Sequence, residues 1–74
     1  MARTRVYVDE VTDTAYLAVS SRPVARTVEV AGGVYLDLSA DGSVLGVELI
    51  DPPTEAMDAL RRAATRDRRA RSAA

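Results

Sequence analysis

Residues 27–50 read Thr27-Val28-Glu29-Val30-Ala31-Gly32-Gly33-Val34-Tyr35-Leu36-Asp37-Leu38-Ser39-Ala40-Asp41-Gly42-Ser43-Val44-Leu45-Gly46-Val47-Glu48-Leu49-Ile50. Three runs rich in Val, Leu and Tyr are broken by Gly32-Gly33 and by Ala40-Asp41-Gly42. Within the runs, large apolar residues recur at every second position, the period of a half-buried strand and not the 3.6 of a helix. The glycine pair permits the positive φ of a tight hairpin, and Gly42 suits the left-handed bulge position of a three-residue loop. The stretch therefore predicts strands over 24–30, 34–38 and 43–50, joined by hairpins.

The same alternation extends toward the N-terminus, over Arg3 to Val8 and Thr14 to Ser20, with Asp9 to Asp13 as a connection and Ser21-Arg22-Pro23 as a break. Toward the C-terminus, Asp51-Pro52-Pro53-Thr54 stops the sheet. Pro53 excludes the α region for Pro52, so a helix starts at Pro53 or later, with Thr54 as an alternative cap and Glu55 and Asp58 in its first turn. Met57, Leu60 and Ala63 or Ala64 form its short apolar stripe, and Asp58 can pair with Arg61 or Arg62. No large apolar residue follows Ala64, which predicts a helical or disordered arginine-rich tail over 61–74. The expected fold class is α+β, about five antiparallel strands in a β-meander followed by one C-terminal helix, in a single domain over 1–60.

Odd and even positions of the strands sort onto opposite faces. One set holds Val6, Val8, Ala15, Leu17, Val19, Val28, Val30, Val34, Leu36, Leu38, Leu45, Val47 and Leu49, a candidate core. The other holds Tyr7, Tyr16, Tyr35, Val44 and Ile50 beside the carboxylates of Glu29, Asp37 and Glu48. One helix covers one face at most, so the tyrosine face is expected to stay open, and tyrosine suits an interface because it joins apolar area to a hydroxyl.

With 74 residues and no cysteine or histidine, the chain has neither disulfides nor the usual structural zinc ligands to support a thin core, so a homo-oligomer is expected. No apolar run approaches the length of a membrane span or a signal peptide, and a cytoplasmic location is expected with no membrane contact. All ten basic residues are arginine, the usage of a GC-rich genome. The net charge of -1 hides an asymmetry: residues 1–60 carry four Arg against ten Asp and Glu, whereas 61–74 carry six Arg against Asp67.

Familiar nucleophilic catalysis fails on inventory, since Ser20, Ser21, Ser39 and Ser43 have no His, Lys or Cys as a base. Asp37 and Glu48 fall on one face, where a close pair could share a proton, but a solvated pair on an open sheet face is the simpler reading. Asp13-Thr14-Ala15 lacks the glycine of an aspartic protease motif. Asp9, Glu10 and Asp13 lack the glycine and terminal glutamate of an EF-hand loop and read as a solvated turn. Gly32-Gly33 is followed by strand and not by the helix that a phosphate loop requires. Gly46, inside a strand, marks a bulge or close packing under a tyrosine ring. No enzyme activity, cofactor or metal is expected.

In order along the chain, Asp9, Asp13-Thr14-Ala15-Tyr16, Thr27-Val28-Glu29, Gly33-Val34-Tyr35-Leu36-Asp37, Asp41-Gly42 and Gly46-Val47-Glu48-Leu49-Ile50 resemble the pattern of a family of short bacterial proteins catalogued as domain of unknown function 2283. The likeness covers about residues 6–51; Val8 replaces the tyrosine usual before Asp9, and the segment after Asp51 lies outside it. The resemblance implies a small β-rich fold and brings no activity or catalytic residue. The expectation for function is a non-enzymatic protein-interaction module, a homo-oligomer or a binder of a small partner in the manner of an antitoxin. The alternative is a nucleic-acid-binding accessory protein acting through Arg61, Arg62, Arg66, Arg68 and Arg69, a basic set without aromatic residues for stacking on bases.

Overall fold

The computed structural model describes residues 4–73, with side chains described from residue 4 to residue 65. Five strands, β1 (Arg5–Asp9), β2 (Thr14–Ala18), β3 (Arg26–Ala31), β4 (Val34–Leu38) and β5 (Val44–Ile50), precede one helix, α1 (Thr54–Ala73). They form one antiparallel sheet in the order β1-β2-β5-β4-β3. The class is the one expected, an antiparallel five-stranded sheet with a C-terminal helix.

A simple meander would set β2 beside β3. Here β5 returns to the middle of the sheet and pairs with both β2 and β4. Residues 19–25 make this possible. They carry the chain past two strands, about 14 Å at ~4.8 Å per strand, well within the reach of seven residues at ~3.3 Å each. The crossing is pinned at both ends: Val19 and Ser20 N–H donate to the Leu45 carbonyl at 2.8 and 3.1 Å, and Ala25 N–H donates to the Leu38 carbonyl at 2.8 Å. These bonds take up Val19 and Ser20, which the pattern assigned to β2.

Two bulges modify the odd-even bookkeeping. Asp37 pairs with Gly46 but Leu38 with Val44, so Leu45 is an extra residue in β5. Glu29 pairs with Tyr35 but Ala31 with Val34, so Val30 is extra in β3. Leu45 is the most deeply buried large side chain, at 1% exposure, whereas Val30 stands 56% exposed on the edge strand and leaves the expected core. A bulge on an edge strand also interrupts the regular ladder that would otherwise template another strand.

The helix begins where the prolines dictate, with Met57 N–H donating to the Pro53 carbonyl at 2.9 Å and Glu55 in the first turn. It lies against β1. Met57 and Ala64 are buried, and in β1 it is Val6 and Val8 that are sheltered while Arg5, Tyr7 and Asp9 are exposed. The covered face is therefore the aliphatic one, whose cross-strand rows run Val6-Leu17-Val47-Leu36-Val28 and Val8-Ala15-Leu49-Val34. Arg61 fastens the helix, its Nε donating to Glu10 Oε1 at 3.0 Å and its Nη1 to Asp58 Oδ1 at 2.6 Å. The Asp58 carboxylate, and next the charge of Glu10, raise the guanidinium pKa further.

Two of the three hairpin loops are held by side chains. Asp9 Oδ1 accepts from Val11 and Thr12 N–H at 3.0 and 3.3 Å, which closes the β1-β2 turn. In the β4-β5 loop the buried Ser39 hydroxyl donates to Asp41 Oδ1, and Ser43 N–H donates to the same oxygen at 3.1 Å. Ser39, with Ser43 behind it, holds the Asp41 carboxyl well below the usual carboxylate range.

Candidate functional site

On the face away from α1, the register aligns Tyr7, Tyr16, Glu48, Tyr35 and Glu29 in one row across all five strands. The neighbouring row is Arg5, Ala18, Gly46, Asp37 and Thr27, and Asp9, Thr14 and Ile50 follow on the other side. The three tyrosines thus share one face, because each stands at a position of the same parity and no bulge intervenes between them. Tyr7 and Ile50 are 45% and 44% exposed; Tyr16 and Tyr35 are half-buried.

Tyr16 is the organising residue. Its ring lies over Gly46, so near that a Cβ on Gly46 would fall 2.0 Å from the phenol oxygen. From there the hydroxyl donates to Asp37 Oδ2 at 2.7 Å, while Thr27 Oγ1 donates to Asp37 Oδ1 at 2.6 Å. Tyr16, Gly46, Asp37 and Thr27 come from four different strands, and all four belong to the stretches that carry the family resemblance. Gly46 is what lets the phenol cross from its own row to the next.

The electrostatics follow from these bonds. Asp37 accepts from Thr27 and from Tyr16, and both lower its carboxyl pKa. The Tyr16 phenol moves the other way, pushed up to about 12 by donating to Asp37, by burial and by the charges of Asp37 and Glu48. The neutral phenol is the form that bonds the carboxylate, so the pair's contribution to stability is complete below the ordinary phenol pKa of 10.0 and is lost as pH rises toward about 12. The phenolate absorbance of the parent minus that of Tyr16→Phe should accordingly show a phenol that ionises near the top of this window. A difference curve centred at the ordinary value would disprove the bond.

Asp37 and Glu48 do not act as a proton-sharing pair. Both Asp37 oxygens are occupied by hydroxyl donors, and its carboxyl is shifted down, opposite to a general acid. Glu48 lies in the next row between Tyr16 and Tyr35, where it borders an open hollow of about 290 Å³ lined also by Tyr7, Asp9 and Thr14. Among the described residues, no group of three or more His, Cys, Asp or Glu could hold a metal ion. No helix is long and apolar enough to cross a membrane, among the same residues.

Val44, expected on the tyrosine face, is placed otherwise. The extra residue at Leu45 slips the register by one, so Val44 pairs with Leu38 of the aliphatic parity, although it remains 42% exposed. Among the arginines, Arg61 is engaged by Asp58 and Glu10, and Arg62 is exposed. The side chains of Arg66, Arg68 and Arg69 lie outside the described residues. The alternation places Thr27, Tyr16 and Asp37 on one face but gives neither of the bonds that join them; the signal for the Tyr16 bond is Gly46, a glycine in mid-strand where a ring could lie.

No curated protein matches the chain. No solved structure matches it either. A family model described as protein of unknown function (DUF2283) matches residues 5–51, the five strands and the loops between them, and stops short of α1. With well over half of its length inside that match, the chain belongs to the DUF2283 family.

Proposed function

We propose that this domain is a non-enzymatic interaction module of the bacterial cytoplasm that self-associates through its tyrosine face. The carrying observation is the Tyr7-Tyr16-Glu48-Tyr35-Glu29 row, on a face that α1 leaves open and with Tyr7 and Ile50 standing nearly half exposed beside it. Tyrosine supplies contact area at low entropic cost, and Tyr16 is already fixed by Asp37, so binding would order little that is not ordered in the free chain. A small partner protein, as an antitoxin would take, would use the same surface. Nucleic acid is the weaker reading, because the exposed sheet face is acidic and Arg61 is held by two carboxylates.

Sedimentation of the full chain from micromolar to sub-millimolar concentration tests the proposal. Self-association is expected, and Tyr7→Ser combined with Ile50→Thr should weaken it by about tenfold or more with an unchanged circular dichroism spectrum. Association as tight as that of the parent would exclude this face.

A further inference from the structure

We propose that the occupant of the tyrosine face is the arginine-rich segment of a second copy of the chain, and not the same face of that copy. This rests on the reading of the tyrosine face as an interaction surface and names what lies on it.

Charge opposes the symmetric alternative. The register places Arg5 on this face against Asp9, Glu29, Asp37 and Glu48. Thr27 and Tyr16 hold Asp37 ionised through their hydroxyl donors. An isologous pairing sets the same patch against itself, so among the described residues four carboxylates on each side would meet with one arginine apiece, and like charges brought together oppose contact. The complement is in the same chain, where residues 61–74 hold six Arg against one Asp. Arg61 is committed to Asp58 and Glu10, which assigns the contact to Arg62 and the arginines after it in the sequence. The sheet stands between the described part of α1 and the tyrosines of its own copy, so a second copy is what presents the segment.

The face is also built for a guanidinium. From Tyr16 to Glu29 phenols and carboxylates alternate along its central row, with Tyr35 flanked by Glu48 and Glu29. An arginine plane can stack on a phenol ring while its N–H fork bonds the carboxylate beside it, which a lysine does less well.

Sedimentation equilibrium of full-length chains tests the assignment. One variant reverses the face, Glu29→Arg with Glu48→Arg; the other reverses the tail, Arg62→Glu with Arg69→Glu. The parent is expected to associate at low salt and to weaken as salt rises. Each variant alone should lose about tenfold or more in affinity, and mixing the two should restore association to near the parental level, since each then offers the other an opposite charge. The restoration also shows that both variants are folded. A tail-reversed variant that associates as tightly as the parent, or a mixture that does not recover, overturns the arginine occupant. If the tail-reversed variant keeps its affinity while Tyr7→Ser with Ile50→Thr loses it, the face stands and only its occupant fails. A parent chain that is monomeric at every concentration and salt removes both.

Discussion

Alanine at Gly33 is expected to cost about 3 kcal/mol, enough to remove a large part of the stability of a domain this small. Gly33 ends the β3-β4 turn at φ +75°, a left-handed conformation that costs an alanine about 1–2 kcal/mol. The added Cβ would also lie 2.7 Å from the carbonyl oxygen of Ile50, which is backbone and has no side-chain rotation by which to yield. Relief requires β4 and β5 to part at the point where Ile50 N–H donates to the Gly33 carbonyl at 2.8 Å, adding about 1 kcal/mol for that bond. The other turn glycines separate the two effects. Gly42 has φ +86° with nothing near its missing Cβ, so Gly42→Ala should cost about 1 kcal/mol from conformation alone. At Gly32, where neither feature applies, the change should stay within about 0.5 kcal/mol. Urea denaturation of the three variants should reproduce this order, and a Gly33→Ala loss no larger than that of Gly42→Ala would remove the contact with Ile50 from the account.

That Gly33 would end a turn was legible in the sequence; that its Cβ would meet Ile50 was not, and the division recurs throughout the fold. Val34–Leu38 matches its expected bounds because Gly32-Gly33 and Ala40-Asp41-Gly42 bracket it with local signals, whereas β2 loses Val19 and Ser20 to a crossing that only the assembled sheet requires. Local alternation identifies strands but is blind to partners. It gave no reason to prefer β5 over β3 as the neighbour of β2. It also assumes an unbroken period of two, so the inserted residues Val30 and Leu45 invalidated it locally, exposing Val30 and moving Val44 off the tyrosine face. The tyrosines survived because Tyr7, Tyr16 and Tyr35 lie in strand segments free of insertion. Thr27 and Asp37 were visible as polar residues in strands, yet the bonds joining them to Tyr16 depend on a strand order that alternation does not encode.

The same cluster carries the second large effect, Gly46→Ala, expected to destabilise the chain by about 2–3 kcal/mol. An alanine normally gains over glycine in a strand, by roughly 0.5–1 kcal/mol, so intrinsic propensity predicts the opposite sign. The difference is Tyr16. A Cβ at position 46 would lie 2.0 Å from its hydroxyl oxygen and 2.4 Å from Cζ, so the ring must swing away, and with it goes the 2.7 Å bond to Asp37. Losing a hydrogen bond to a charged acceptor costs about 1.5–3 kcal/mol, and the ring also gives up its packing on the strand. Two measurements identify this cause. The raised phenol pKa of about 12 should fall back toward its ordinary value in Gly46→Ala, because the donor no longer faces a carboxylate. In a Tyr16→Ala background the ring is absent, so the alanine at 46 should be neutral or slightly stabilising, a coupling of about 2 kcal/mol or more between the two positions. Additive losses in that cycle would mean that the glycine serves the backbone of β5 and not the tyrosine above it. A coupled result would identify Tyr16, Gly46 and Asp37 as one unit, holding in place the middle of the row that the proposed contact uses.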